Sequence, residues 1–550
     1  MSPSPATDAA PIASQRIIHI RREYNGWVAN ETLEDYALRY APQTFRRWSF
    51  SRISNTALGA VSFLALEAIG ATIAMNWGFI NMMWSVGLVA LVLFLTGLPI
   101  AYYAARYALD MDLLTRGAGF GYIGSTVTSL IYASFTFIFF AIEAAIMALA
   151  LELWFDMPIM WAYLVSALIV IPFVTHGITW ISRLQAWTQP VFVVLLLAPF
   201  FFVLVSDPAL YATFTTFGGR HGNDFNLLAV GAGCAVAFAL ICQIGEQVDF
   251  LRFLPHPVPG NRVRWWAAVV AAGPGWIIPG AVKMVGGAFL AFVALQSMIP
   301  PEKAVQPTQM YLAGFQHVID DPRAAIMLTA IFVIICQVKI NVTNAYAGSL
   351  AWSNFFSRLT HSHPGRVVWL IFNVLIALML MMLGVFEALE HVLSVYANVA
   401  VAWIGAVVAD LVINKPLGLS PRGIEFKRAH LYDVNPVGVG AMLAGSVLGI
   451  VAFGGSLGPF AQAFAPFISL LTAFALAPLI AWATRGRFYL ARPREMRWQA
   501  AQPLRCVVCE NHFESEDMAQ CPAYGGAICS LCCTLDARCG DRCKPEPGPL

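Results

Sequence analysis

The sequence predicts an all-α membrane protein of twelve transmembrane helices with a small metal-binding tail, and three observations carry that prediction. Hydrophobic residues make up 59% of the 550-residue chain and charged residues only 12%, against roughly 25% charge in ordinary soluble domains. Apolar stretches of about 20 residues, the length that crosses a bilayer, recur up to residue 484. Eight of the eleven cysteines then fall within the last forty-five residues. A net charge of +2 argues against nucleic acid as a partner. The first fifteen residues are polar and hold no apolar core, so they do not read as a cleaved signal peptide.

Candidate spans run near 55–79, 83–106, 123–153, 159–176, 186–205, 227–249, 265–297, 324–350, 367–385, 389–412, 437–454 and 460–484. Basic residues test that count. With the N-terminus inside, Arg46, Arg47, Arg52, Arg106, Arg116, Arg183, Arg252, Arg262, Arg264, Arg358, Arg366, Lys415, Arg422, Lys427 and Arg428 face the cytosol, as does the basic run from Arg485. Only Arg220, Lys303 and Arg323 fall outside. This asymmetry obeys the positive-inside rule and puts both termini in the cytosol of a cell (inner) membrane. The chain divides into a cytosolic segment (1–52), a helical domain (53–486) and a cysteine-rich tail (487–550).

Span one carries Glu67 and Gly70, and span six carries Gln243, Gly245 and Glu246. Interrupted, glycine-bearing segments at matching places in two halves point to a binding site at the bilayer midplane. Glycines of membrane helices also serve close packing, so both readings stand at this stage. Two sequons, at Asn30 and Asn341, fall in the cytosol and in the membrane on this topology and are chance matches.

Asp249-Phe250-Leu251-Arg252-Phe253, at the end of span six, resembles an element of the nucleobase:cation symporters (the purine/cytosine permease-like proteins). Asn344-Ala345-Tyr346-Ala347-Gly348-Ser349-Leu350, followed by Trp352-Ser353-Asn354, resembles a second element of that family. Phe139 and Glu143 sit where the family has an aromatic residue and, four residues on, a glutamine. The resemblance covers about residues 20–485. It implies a LeuT-type fold, five-plus-five inverted repeats with two added helices, and a site for a planar heterocycle such as a purine, pyrimidine or hydantoin. Carried over, it nominates Phe139 for stacking and Glu143 and Asn344 for hydrogen bonding, with Gln243 or Cys242 near a break in span six. The plain alternative for Phe139 is a core- or lipid-facing ring.

Sodium-using members place two hydroxyl residues about a turn before that asparagine, against carbonyls of span one. Here the positions read Val338-Lys339. A lysine there supplies a cation of its own, and the expected partner is Glu67 in span one, a pair that replaces sodium and can carry a proton. The alternative for Lys339 is a structural ion pair or a side chain reaching for the interface. Glu143, an acid in place of an amide, either titrates or accepts hydrogen bonds from an NH-rich ligand. Lys283 has no partner legible in the sequence and reads as interfacial or helix-capping.

In the tail, Cys506, Cys509, Cys521, Cys529, Cys532, Cys533, Cys539 and Cys543 offer eight thiolates, with His512 as a further candidate. Cytosolic thiols stay reduced, which favours metal over disulfides. Two C-x2-C knuckles suit zinc, with four thiolates at each of two sites, and an iron–sulfur cluster is the alternative. Cys532 and Cys533 compete for one place, so spacing leaves the assignment open. The chain has no nucleophile–base set or phosphate loop and does not read as an enzyme. The expected function is proton-coupled transport of a nucleobase-like heterocycle. The alternative is a transporter-derived sensor, whose tail would signal to a cytosolic partner; the terminal Pro545–Leu550 stretch reads as a linker.

Overall fold

The computed structural model describes residues 36–384, 389–494, 503–536 and 539–544. The sequon at Asn30 and the terminal linker lie outside the described residues, as does most of segment 1–52. Among the described residues, nine helices are long and apolar enough to cross a membrane, and two shorter apolar helices, Ile159–Thr175 and Arg366–Met382, accompany them. The first of the nine, Ala65–Tyr107, is 43 residues long and turns at Gly78, where φ is +75°. A Cβ at Gly78 would stand 2.6 Å from the carbonyl oxygen of Gly222, so both the turn and the neighbour demand glycine. Candidate spans one and two thus meet at this kink with no loop between them.

Two interruptions organise the bundle. The first helix, Phe50–Gly59, tightens to a 3-10 turn over Ala60–Ser62; Phe63 is then extended (φ −60°, ψ 135°) before the helix restarts at Ala65. Leu227–Ala237 likewise tightens over Phe238–Cys242 before Gln243–Leu251 resumes the α-helix. Both irregular stretches are wholly buried, as they must be where no water satisfies backbone groups.

The breaks do not fall at the glycines that drew attention in the sequence. A Cβ at Gly70 would lie 1.9 Å from the carbonyl oxygen of Met284, and one at Gly245 would lie 2.4 Å from the Tyr132 ring. Both glycines therefore serve close packing, Gly70 against the helix Ile277–Gln296 and Gly245 against Ser125–Phe155. Gly287 completes the first contact: its Cβ would lie 2.2 Å from the Cα of Glu67.

The tail folds as two short antiparallel ribbons and a helix. β1 (Leu504–Arg505) pairs with β2 (His512–Phe513), β3 (Met518–Cys521) pairs with β4 (Gly526–Cys529), and Ser530–Leu535 is helical. It sits against the helical domain. Arg39 pairs with Asp517 at 3.4 Å and lies 4.3 Å from the Phe513 ring centre, and Tyr40 donates to Glu514. Lys427 donates to the Glu516 carbonyl at 2.9 Å.

Gly287→Ala is expected to lower the melting temperature of the purified protein in detergent, since overpacking costs about 1–3 kcal/mol. Gly87→Ala, where nothing lies within 4 Å of the added Cβ, is the control and leaves melting unchanged or slightly raised. Equal melting of the two variants would refute the close approach at Gly287.

Candidate functional site

The break in span one exposes backbone groups on both of its sides, and a charged side chain meets each. On the C-terminal side of the first segment, the Lys283 ammonium donates to the carbonyls of Val61 (2.9 Å) and Phe63 (2.7 Å). On the other side, the Glu143 carboxylate accepts from the amides of Leu64 and Ala65, both at 3.1 Å. These are the orphan groups that any helix end leaves over, and each charge has the sign that its helix end favours. Glu143 is thus a helix cap supplied by span three, with both carboxylate oxygens engaged.

Lys283 also pairs with Glu67 at 3.4 Å, and the Tyr311 hydroxyl donates to Glu67 at 3.0 Å. The expected Lys339–Glu67 pair is therefore corrected: Glu67 belongs to Lys283. Lys339 turns to the helix Ile178–Ser206, where it donates to the Gln185 carbonyl (3.3 Å), Thr188 Oγ1 (3.0 Å) and Gln189 Oε1 (3.0 Å). Gln185 returns a hydrogen bond to the Lys339 carbonyl at 2.8 Å. The two ammoniums lie 5.8 and 5.6 Å from the ring centre of Phe192. Lys283, read from sequence as interfacial or capping, is a buried cap with a buried partner.

Aromatic rings frame the same break. Phe139 meets Phe63 edge-on at 6.5 Å and Phe135 at 4.6 Å, while Trp276 lies 6.3 Å from Phe63. Phe139 and Glu143, one helical turn apart, both face the interruption. Sequence reasoning missed Phe63 and Trp276, for which spacing gave no signal.

Across the second break, Glu246 is a hub of hydrogen bonds. Gln243 Nε2 (2.9 Å) and Thr343 Oγ1 (3.1 Å) both donate to Glu246 Oε2, tying span six to span eight. Asn344 Nδ2 donates to Asn341 Oδ1 at 3.2 Å. Buried polar atoms remain without a hydrogen-bond partner here: Asn344 Oδ1, Asn341 Nδ2, Glu246 Oε1 and both amide ends of Gln247. Buried polar groups are normally satisfied, so acceptors and donors left over on two facing helices are the atoms a hydrogen-bonding ligand would use. Cys242 is turned away towards Tyr396, whose hydroxyl lies 3.1 Å from its sulfur.

The signature residues at the tail-side ends of these helices form a separate network. Arg252 donates to the Tyr346 hydroxyl (2.8 Å) and the Tyr36 carbonyl (3.2 Å) and pairs with Asp110 at 3.6 Å. Tyr132 donates to Asp249 at 3.2 Å, and Arg116 donates to Asn354 at 2.5 Å. Arg358 pairs with Asp112 at 3.9 Å. Asp110 and Asp112 were not singled out in the sequence, where one carboxylate between spans looks like any other, and Arg116 entered only as a cytosol-facing charge.

With that geometry in place, comparison with known structures is informative. The chain resembles Mhp1, a nucleobase-cation-symport-1 family transporter. Against its closed conformation with bromovinylhydantoin bound, the TM-score is 0.55 at 15% identity, over 84% of this chain and 99% of Mhp1. The fold is LeuT-type. The inward-facing conformation of Mhp1 gives a TM-score of 0.60 at 16% identity, over 84% of this chain and 97% of that one. A Na+-coupled sialic acid symporter in a substrate-bound outward-open state gives 0.50 at 13% identity, over 82% and 94%. By sequence, no family model and no curated protein matches the chain.

In the tail, Cys506, Cys509, Cys529 and Cys532 are buried with their sulfurs within 4.8 Å of one another, a donor set that can hold a metal ion. Hydrogen bonds from the Cys509, Cys529 and Cys532 thiols hold Cys506 far below the usual thiol range. Burial pushes Cys529 up. Crowded thiols that cannot all ionise together are what a cation would relieve, with release of protons. His512 is exposed on β2 and outside this group.

Lys283→Met is expected to lower the melting temperature sharply. Removing one partner of a buried pair costs about 3–5 kcal/mol, and the Val61 and Phe63 carbonyls lose their donor. Adding Glu67→Gln to that variant should recover part of the loss. A double variant that melts at the sum of the single losses would show the two groups uncoupled.

Proposed function

We propose that the protein is a secondary transporter that carries a nucleobase-like heterocycle across the membrane by alternating access about the two helix breaks. One observation carries this reading: buried amide and carboxylate atoms of spans six and eight, on Glu246, Gln247, Asn341 and Asn344, lack partners. A planar ring bearing NH and C=O groups offers the complementary donors and acceptors, and Phe63, Phe139 and Trp276 offer faces and edges against which such rings pack. The resemblance of the signature segments to nucleobase:cation symporters, and the fold shared with a transporter that binds a hydantoin, point the same way.

Coupling is to protons rather than sodium. Lys283 places a fixed ammonium on the span-one carbonyls, and the buried Glu67–Lys283–Tyr311 cluster is of the kind that serves proton relays inside membranes. Basic-residue placement orients both termini to the cytosol of the cell membrane. In that reduced compartment the clustered thiolates of the tail hold zinc, which needs no redox partner and prefers four tetrahedral sulfurs.

Uptake of labelled purines, pyrimidines and hydantoins into proteoliposomes tests the proposal. Expected are saturable uptake driven by an inward proton gradient and indifferent to sodium, about tenfold weaker binding in Asn344→Ala, and no accumulation in Lys283→Met. Absence of saturable uptake or binding across the panel would overturn the transport reading. Uptake that requires sodium would overturn the fixed-cation part alone.

A further inference from the structure

The first thiol group takes four of the tail's eight cysteines, and the other four are not scattered. Cys521, Cys533, Cys539 and Cys543 all line one cavity of about 10 Å³. A space of that size admits a single ion or water and is too small for a cluster. Cys521 ends β3 and Cys533 lies in the helix Ser530–Leu535. Consecutive helical residues point about 100° apart, so Cys532 turns to the first group while its neighbour Cys533 faces the second. The competition between them in the sequence is thereby settled by helix geometry.

The charged groups that line this cavity are already engaged. Asp541 Oδ2 meets Arg428 Nη2 at 3.1 Å and Lys544 Nζ at 3.2 Å, and Asp536 accepts from the Tyr524 hydroxyl. That leaves the thiols as the donor set. Four thiolates around a divalent ion carry a net double negative charge, and Arg428 and Lys544, both held on the cavity-lining Asp541, stand beside it to offset it.

The placement of these ligands has a mechanical consequence. Cys539 and Cys543 bracket Asp541, which pairs with Arg428; Lys544, the next residue, pairs with Asp433 at 3.2 Å. Arg428 and Asp433 belong to the loop that leads into the helix Pro436–Phe453. Fixing both cysteines to one ion fixes the two charged residues that grip this loop.

We infer that Cys521, Cys533, Cys539 and Cys543 form a second metal site, separate from the first, whose occupancy clasps the tail to the 425–433 loop of the helical domain. The ligands interleave along the chain, so the β3–β4 ribbon supplies both sites and each staples the loops of the other. The ion class is a tetrahedral, thiophilic divalent metal, for which zinc is the probe. This inference stands apart from the transport reading, and neither depends on the other.

The test uses the full chain in detergent. Stripped protein titrated with Cd2+ should bind two ions per chain, with sulfur-to-metal absorption that rises in two equal steps, one for each set of four thiolates. A plateau at one ion would overturn the proposal without any variant. In zinc-loaded protein, Cys533→Ser with Cys539→Ser should leave one zinc per chain. Hydrogen exchange at 425–433 should then rise at least tenfold, while exchange at the Cys506–Cys509 knuckle stays slow. Two zinc ions retained in that variant would overturn the site, and unchanged exchange at 425–433 would overturn the clasp.

Discussion

The break in span one rests on two charges of opposite sign, and much of the helical domain is arranged to deliver them. Without Lys283, the Val61 and Phe63 carbonyls would lie in an apolar interior unmatched. Without Glu143, the Leu64 and Ala65 amides would. An unpaired buried polar group costs on the order of 1–3 kcal/mol, and more where charge is involved. A break at membrane depth is therefore stable only if its neighbours pay that cost. Span seven approaches closely enough to place Lys283 because Gly70 and Gly287 remove the side chains that would hold it off. Glu67 then neutralises the ammonium, so that the cap introduces no unpaired charge into the membrane.

At the tail-side ends of the helices the same economy of charge is spread over more groups. Arg252, Arg116 and Arg358 face Asp110 and Asp112, with Tyr346 and Asn354 taking further hydrogen bonds. The signature segments that first pointed to a symporter family thus contribute structure at two depths. Asn344 stands beside the unpartnered atoms at mid-membrane. Further along the same helix, Tyr346 and Asn354 accept from the arginines of the tail side. These residues bury several guanidiniums where helix ends converge.

Much of this was legible in the sequence and some of it could not be. Hydropathy located the helices, because twenty apolar residues have few other uses, and cysteine spacing located the tail whose four buried thiols can hold a metal ion. Phe139, Glu143 and Asn344 were placed near the breaks by motif position. The partner of Glu67 was not legible, because a lysine's sequence position does not say which neighbouring helix it faces. Motif position favoured Lys339 and left Lys283 without a partner, until packing put the first against Gln185, Thr188 and Gln189 and the second against span one. Gly70 and Gly245 left two readings open for a related reason: glycine permits a bend and permits close approach, and only the neighbouring helix decides which use applies.

The two caps differ in what a conformational change would do to them. Lys283 belongs to the helix Ile277–Gln296, which packs along Ala65–Tyr107 with glycines at the contact, so it and the break move together. Glu143 belongs to Ser125–Phe155, which packs along Pro322–Thr360 instead. A motion of the first pair of helices against the second leaves the ammonium on its carbonyls and draws the carboxylate off the Leu64 and Ala65 amides. Those amides then need another acceptor, either water entering from the opened side or a group on a bound ligand. The asymmetry makes Lys283 a fixture of the broken helix and Glu143 a contact between the two pairs of helices. An acid at position 143 therefore holds the Leu64 and Ala65 amides more firmly than a neutral amide would, since charge-assisted hydrogen bonds are roughly twice as strong as neutral ones.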